Sequence, residues 1–218
     1  MNARRRQDLT DNIATKARIL DAAERLFADR GFDATSLRTI TADAKVNLAA
    51  VNYHFGSKAG LLEEVFKRRV EPLNEDRLAQ LTVLQENSGS GGPSVEAILT
   101  TFIEPALRVS RDSAQGGAVF MRLLGRSYAE PNEQIRQFMP GLYRDIKLRY
   151  GEALGTAVPH LAVEDLYWRM HFVVGTIAYT MAGTDALQLL ASCPYCDPDD
   201  VEGVTERLVK FLSAGMKA

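Results

Sequence analysis

A chain of 218 residues with 46% hydrophobic and 25% charged side chains has the balance of a folded globular protein and can bury a sizeable core. It has no apolar run long enough to span a membrane and no apolar segment near its N-terminus of the kind that marks export, so a cytoplasmic protein is expected. The net charge of −2 hides an asymmetry: residues 1–70 carry 13 Lys/Arg against 9 Asp/Glu, whereas residues 71–218 carry 13 against 19, a basic front suited to nucleic acid on an acidic remainder.

Helical periodicity dominates and strand alternation is almost absent, which predicts an all-α fold. Residues 1–12 are polar, with Arg4, Arg5 and Arg6 in a run. They read either as a disordered tail or as a basic arm on DNA. From 11 to 30 the pattern turns helical, with Ile13, Ala17, Leu20, Ala23, Leu26 and Phe27 on one face and Gly31 as the residue that ends it. Phe32 is expected to wedge under the two short helices after it.

The stretch from 35 to 58 organises the chain. Thr35 is a plausible N-cap for a short helix over 36–44, whose Leu37, Ile40 and Ala44 make one apolar stripe. Lys45 and Val46 form a tight break. Asn47 then caps a second short helix over 48–54. Two short helices joined by such a turn form a helix-turn-helix, whose second helix enters the major groove. On that helix Asn47 and Asn52 can hydrogen-bond base edges. Leu48, Ala49 and Ala50 lie beside them, and the two alanines permit close approach. Thr35, Ser36, Tyr53, His54 and Lys58 can hold phosphates. Ser57 caps a third, longer helix. A cation in its first turn, Lys58, opposes the helix dipole and so is expected to answer an outside anion.

These residues carry a resemblance. A-E-R-L-F-A-D-R-G-F (23–32), T-S-L-R-T-I (35–40) and V-N-Y-H-F-G-S-K-A-G-L-L-E-E-V (51–65) resemble the DNA-binding domain of TetR-family transcriptional regulators. Where that family often has Gly, this chain has Lys45 and Ala49; where it often has Tyr, this chain has Asn52. The resemblance implies an N-terminal three-helix helix-turn-helix domain, here 1–56, followed by a helical ligand-binding and dimerisation domain, here 57–218. It also implies operator DNA as partner.

Beyond Lys58 the helix is amphipathic through Leu61, Leu62, Val65, Phe66 and Val70, with a kink expected at Pro72, and continues through Leu73, Leu78, Leu81 and Leu84. It reads as a lever between the two parts. E-N-S-G-S-G-G-P (86–93) is a linker. Helices are then predicted over 94–112, 116–129, 132–153, 163–191 and 199–215. The fourth of these has two apolar stripes. Leu166, Met170, Val173, Val174, Ile177 and Met181 make one; Trp168, Phe172, Gly175 and Tyr179 make the other. A helix apolar on two sides needs a partner beyond its own core. Val173, Ile177, Val204, Leu208 and Phe211 are therefore the expected homodimer interface.

F-M-R-L-L-G (120–125), Y-W-R-M-H-F-V-V-G (167–175) and F-L-S-A-G-M (211–216) are similar to the C-terminal half of the fatty-acid-responsive TetR regulators of the PsrA type, as is N-L-A-A-V-N-Y-H-F-G-S-K (47–58). This similarity implies a repressor of fatty-acid degradation genes, released by a long-chain fatty acid or acyl-CoA. A pocket for such a ligand needs apolar walls and a cationic or hydrogen-bonding end. Phe120, Met121, Leu124, Phe138, Leu142, Trp168, Phe172 and Tyr179 can supply walls; Arg122, Arg126, Arg169 and His171 can supply the end. Another hydrophobic effector, such as a drug or aromatic compound, remains open. Cys193-Pro-Tyr-Cys196 resembles a glutaredoxin motif, but no strand precedes it, and the nearby Asp197, Asp199 and Asp200 oppose thiolate chemistry. A redox switch there is the rival from another class. No catalytic constellation, metal site or cofactor motif is present, so neither an enzyme nor a cofactor is expected.

Overall fold

The computed structural model describes residues 3–112, 116–129, 132–181, 197 and 199–218. Cys193 and Cys196 lie outside the described residues, as does the end of the helix predicted over 163–191. Ten α-helices and no strand are found among the described residues. The protein is all-α.

The N-terminal part is α1 (Ala3–Arg30), α2 (Leu37–Ala44) and α3 (Leu48–Phe55). Contrary to the disordered-tail reading, α1 begins at Ala3, so Arg4, Arg5 and Arg6 belong to a helix. Its buried face runs through Ile19, Leu20, Ala23, Leu26 and Phe27. Ile13 and Ala17 are exposed, because the partner helices reach only the C-terminal part of α1.

α4 (Lys58–Asn87) runs unbroken through Pro72, which stands on its exposed side. At 30 residues it spans about 45 Å. Its first turns bury Leu61, Leu62, Val65 and Phe66 against the front of the chain, and its later turns bury Leu73, Asn74, Arg77 and Leu81 against the rest. The lever read from the sequence is therefore a single element shared by both parts. Glu24 of α1, with only 3% of its side chain exposed, ties the two together: it pairs with Arg68, and with Arg69 at 3.0 Å.

α5 (Val95–Arg111), α6 (Gly117–Ala129), α7 (Glu133–Leu142), α8 (Arg144–Ala157), α9 (Val163–Met181) and α10 (Val201–Lys217) complete the fold. α10 lies along α5, and α6 packs on α1 as well as on α5 and α9. Where one helix was predicted over 132–153, there are two. Pro140 lacks an N–H, and the chain leaves helical geometry at Tyr143, with φ −108° and ψ 8°. Phe66 marks the meeting of the parts, its ring 5.9 Å from Phe120 and 5.5 Å from Phe138.

Thr35 is wholly buried, and its hydroxyl donates to the carbonyls of Gly31 at 2.7 Å and Leu26 at 3.2 Å. It closes the end of α1 instead of capping α2, whose cap is Ser36. Thr35→Val should therefore lower unfolding stability by about 1–3 kcal/mol, because a buried carbonyl loses its donor. Operator affinity of the folded protein should stay the same, as read by a denaturant melt beside a binding titration.

Candidate DNA-reading face and effector cavity

Three caps build the reading head. Ser36 Oγ accepts from Thr39 N at 3.1 Å, Asn47 Oδ1 from Ala50 N at 2.9 Å, and Ser57 Oγ from Gly60 N at 3.0 Å. Each satisfies an orphan donor at a helix start. Between α2 and α3 the chain reverses at Lys45, which holds φ 54° and ψ 49°. That left-handed conformation suits Gly and costs another residue about 1 kcal/mol, so here Lys45 does with strain what a glycine would do freely. Between α3 and α4 a Cβ on Gly60 would stand 2.3 Å from the Phe55 carbonyl oxygen, so this tight corner requires glycine.

α3 turns Val51 and Phe55 inward. Leu48, Ala49, Asn52 and Tyr53 point out together at i, i+1, i+4 and i+5, and Tyr53 is 77% exposed. Asn47 and Ser36 are exposed beside them, while Ala50 and His54 are half-buried. His54 packs between the rings of Tyr53 and Phe55. This face is apolar at its centre and can rest on base edges and thymine methyls.

One assignment fails, and two residues have internal partners. Thr35 is buried and cannot meet a phosphate. Asn47 spends its carbonyl oxygen on the cap, which leaves only its amide N–H groups for bases. Lys58 has an internal partner: its Nζ sits 4.1 Å from the Phe32 ring centroid. Burial lowers its pKa, with Asp33 acting in the opposite direction. Arg38 in the first turn of α2 and Lys45 in the turn after it are exposed at the same head and were missed by the sequence reading, though their charge could have flagged them.

A cavity of about 590 Å³ opens between α4, α5, α6, α7, α8 and α9. Leu73, Phe102, Leu124, Ile146, Met170 and Val174 are among its apolar walls. Arg136, Lys147 and His171 border it from exposed positions; Arg77 and Tyr150 are buried in it. Burial raises the phenol pKa of Tyr143 and Tyr150, so both are neutral hydroxyls near pH 7. Tyr150 Oη donates to the Arg77 carbonyl at 3.1 Å and is 3.1 Å from Thr101 Oγ1.

Of the predicted ligand residues, only Leu124 and His171 line this cavity. Phe120 and Met121 are core, with 0% and 2% exposure. Phe138 packs on Phe66, and the carbonyl of Leu142 accepts from Asn74. Arg122 bridges to Asp29 at 3.0 Å, and Arg126 donates to the carbonyls of Ala28 and Asp29, so these two arginines clamp α6 to the end of α1. Arg169 donates to the carbonyls of Gly215 and Met216 and so closes the C-terminus of α10. Trp168, Phe172 and Tyr179 stand outside, at 55%, 60% and 65% exposure.

The predicted interface residues show the converse. Val173 and Ile177 are buried in the chain's own core, at 5% and 2% exposure, and Val204 and Leu208 pack half-buried against it. Phe211 is 69% exposed, and with the accessible parts of Val204 and Leu208 it is open to a partner. The two stripes of α9 are real, but their assignments are exchanged: the aliphatic stripe faces in and the aromatic one faces out.

Comparison with known proteins agrees with this architecture. Residues 19–65 match the bacterial regulatory proteins of the tetR family, and residues 100–215 match the tetracyclin repressor-like C-terminal domain. A helix-turn-helix-type transcriptional repressor of Mycobacterium tuberculosis is 33% identical over 172 residues, covering 76% of this chain and 78% of that one. The probable regulator YttP of Bacillus subtilis is 42% identical over 53 residues, 24% of this chain and 26% of its own length. Among solved structures, the fatty acid degradation regulator FadR of Bacillus halodurans superposes with a TM-score of 0.66 at 15% identity, over 92% of this chain and 95% of that one. A TetR-family regulator of Bordetella parapertussis gives 0.63 at 18% identity, over 90% and 93%. Both structural likenesses speak for the fold. The chain belongs to the TetR family of transcriptional regulators, which are DNA-binding proteins and not enzymes.

Proposed function

We propose that the protein is a homodimeric repressor that binds operator DNA through the exposed face of α3 and is released by a long-chain acyl effector. One observation carries the reading: the mostly apolar cavity of about 590 Å³ borders α4, the same helix whose first turns hold the reading head. Its volume falls in the range of small-molecule sites, roughly 300–1,000 Å³. Its walls combine Leu, Ile, Val and Met side chains with the rings of Phe102 and Tyr143, and the flexible Met side chains suit an unbranched chain. Ligand shifts the DNA equilibrium only so far as it prefers the released state, and the shared helix gives it the means.

In this reading Asn52 and the Asn47 amide contact base edges, Leu48, Ala49 and Ala50 provide close apolar contact, and Ser36, Tyr53, His54 and Lys58 hold the backbone. The test is operator release followed with acyl chains of ten to eighteen carbons. Each buried methylene contributes about 0.8 kcal/mol, so four more carbons should tighten binding by up to about 3 kcal/mol until the cavity fills. Affinity that ignores chain length, or binding that leaves DNA in place, defeats the proposal. Release by aromatic compounds alone would favour a different hydrophobic effector.

A further inference from the structure

The cavity contains a charge that its walls do not explain. Arg77 lies on the buried side of α4, in line with Leu73 and Leu81, and is only 4% exposed. Its Nε donates to the Phe102 carbonyl at 2.9 Å, and Nη1 reaches Asn74 Oδ1 at 3.4 Å. Its guanidinium carbon sits 4.0 Å from the Phe102 ring centroid. No carboxylate lies within ion-pair distance of it among the described residues. The titratable groups that act on it are the phenols of Tyr143, Tyr150 and Tyr128, and last Asp76, which is exposed and hydrogen-bonded to Gln80 and Arg108.

A buried cation with no counter-ion is strongly unfavourable. Burial lowers the Arg77 pKa accordingly. Holding the Phe102 carbonyl does not account for it, since a neutral donor such as glutamine would serve that purpose. A guanidinium is the group that recognises a carboxylate through two parallel hydrogen bonds. A thioester carbonyl is neutral and would leave the charge uncompensated.

We propose that Arg77 receives the carboxylate of a free amphiphilic acid inside the cavity, and that the acid, not its coenzyme A thioester, is the effector. This assignment rests on the acyl-effector reading of the cavity. It also explains why Arg122, Arg126 and Arg169 are free to serve as helix ties. The anion is met on α4 itself, so head-group recognition and the element bearing the reading head coincide.

Calorimetry of the full-length protein with tetradecanoic acid, tetradecanol and tetradecanoyl-CoA tests it. The wild type should bind the acid at least about tenfold more tightly than the other two, as charge-assisted pairing requires. Arg77→Met keeps the apolar length of the side chain. It should bring the acid down to the level of the alcohol and leave alcohol binding within about threefold of wild type, a pattern that a merely structural loss would not produce. A cooperative melt checks that the variant folds; if it does not, Arg77→Gln retains a donor for Phe102 and takes its place in the same comparison. Equal binding of acid and alcohol by the wild type, tighter binding of the thioester, or an acid preference that survives in the variant overturns the assignment while sparing the acyl reading. Failure of the wild type to bind any of the three overturns both.

Discussion

A protein carrying Phe172→Glu and Phe211→Glu together should sediment as a monomer and bind its operator at least about 100-fold more weakly, since one short reading helix on one half-site retains little of the specific free energy. The sites follow from exposure. Trp168, Phe172 and Tyr179 form an outward stripe on α9, with the first two rings stacked 6.0 Å apart, and Phe211 is exposed on the neighbouring α10. The Arg169 bonds to the end of α10 fix the two helices beside each other, so adjacent helices carry these exposed aromatic residues. Exposed apolar patches of this kind mark association sites, and aromatic residues dominate their energetics. Two helices per chain would meet their equivalents across a two-fold axis. Glutamates there would be buried against each other in the dimer but solvated in the monomer. A doubly substituted protein that remains dimeric would place the interface elsewhere.

The second large effect is on stability. Glu24→Ala should cost about 3 kcal/mol and lower the melting temperature by about 6–12 °C. The carboxylate is nearly inaccessible, at 3%, while its partners Arg68 and Arg69 keep 25% and 19% of their side chains exposed. Removing the anion leaves two adjacent cations at the α1–α4 junction. Arg69 is the worse placed, because Arg68 keeps Asp21 at 2.6 Å, whereas Glu24 is the one carboxylate that pairs with Arg69 among the described residues. Adding Arg69→Ala to Glu24→Ala should recover part of the loss, since it removes the cation left without a carboxylate. A change below about 1 kcal/mol would mean that water reaches the site and screens it. Calorimetric melting of the three variants decides.

The helix-turn-helix could be read from the chain because each of its signals is local. Asn47 and Ser57 are three residues from the amides they cap, and the alternation of Val51 and Phe55 with Asn52 and Tyr53 is fixed by helical period. Thr35 and Ser36 are adjacent residues of similar chemistry; which of them caps α2 depends on how α1 ends, through the carbonyls of Leu26 and Gly31. In α9 the period revealed two apolar stripes but could not orient them. Aromatic size suggested the interior, yet the space inside is taken by aliphatic side chains meeting α6 and α8. The arginines at 122, 126 and 169 misled for a related reason: their partners are backbone carbonyls and Asp29, up to 98 residues away in the chain. The one available clue was Arg77 itself, a cation in register with Leu73 and Leu81 where the stripe called for an apolar residue.

The continuity of α4 also sets a mechanical gain. Arg77 and Lys58 are separated along one helix by about 28 Å at 1.5 Å per residue. A tilt of about 5° pivoting near Arg77 would carry the start of α4 sideways by about 2.5 Å. Two heads moving apart would change their separation by about 5 Å, against a half-site spacing of about 34 Å. That would exceed the rise of one base pair, so in a dimer on two half-sites a tilt of this size would put the second head out of phase with the groove.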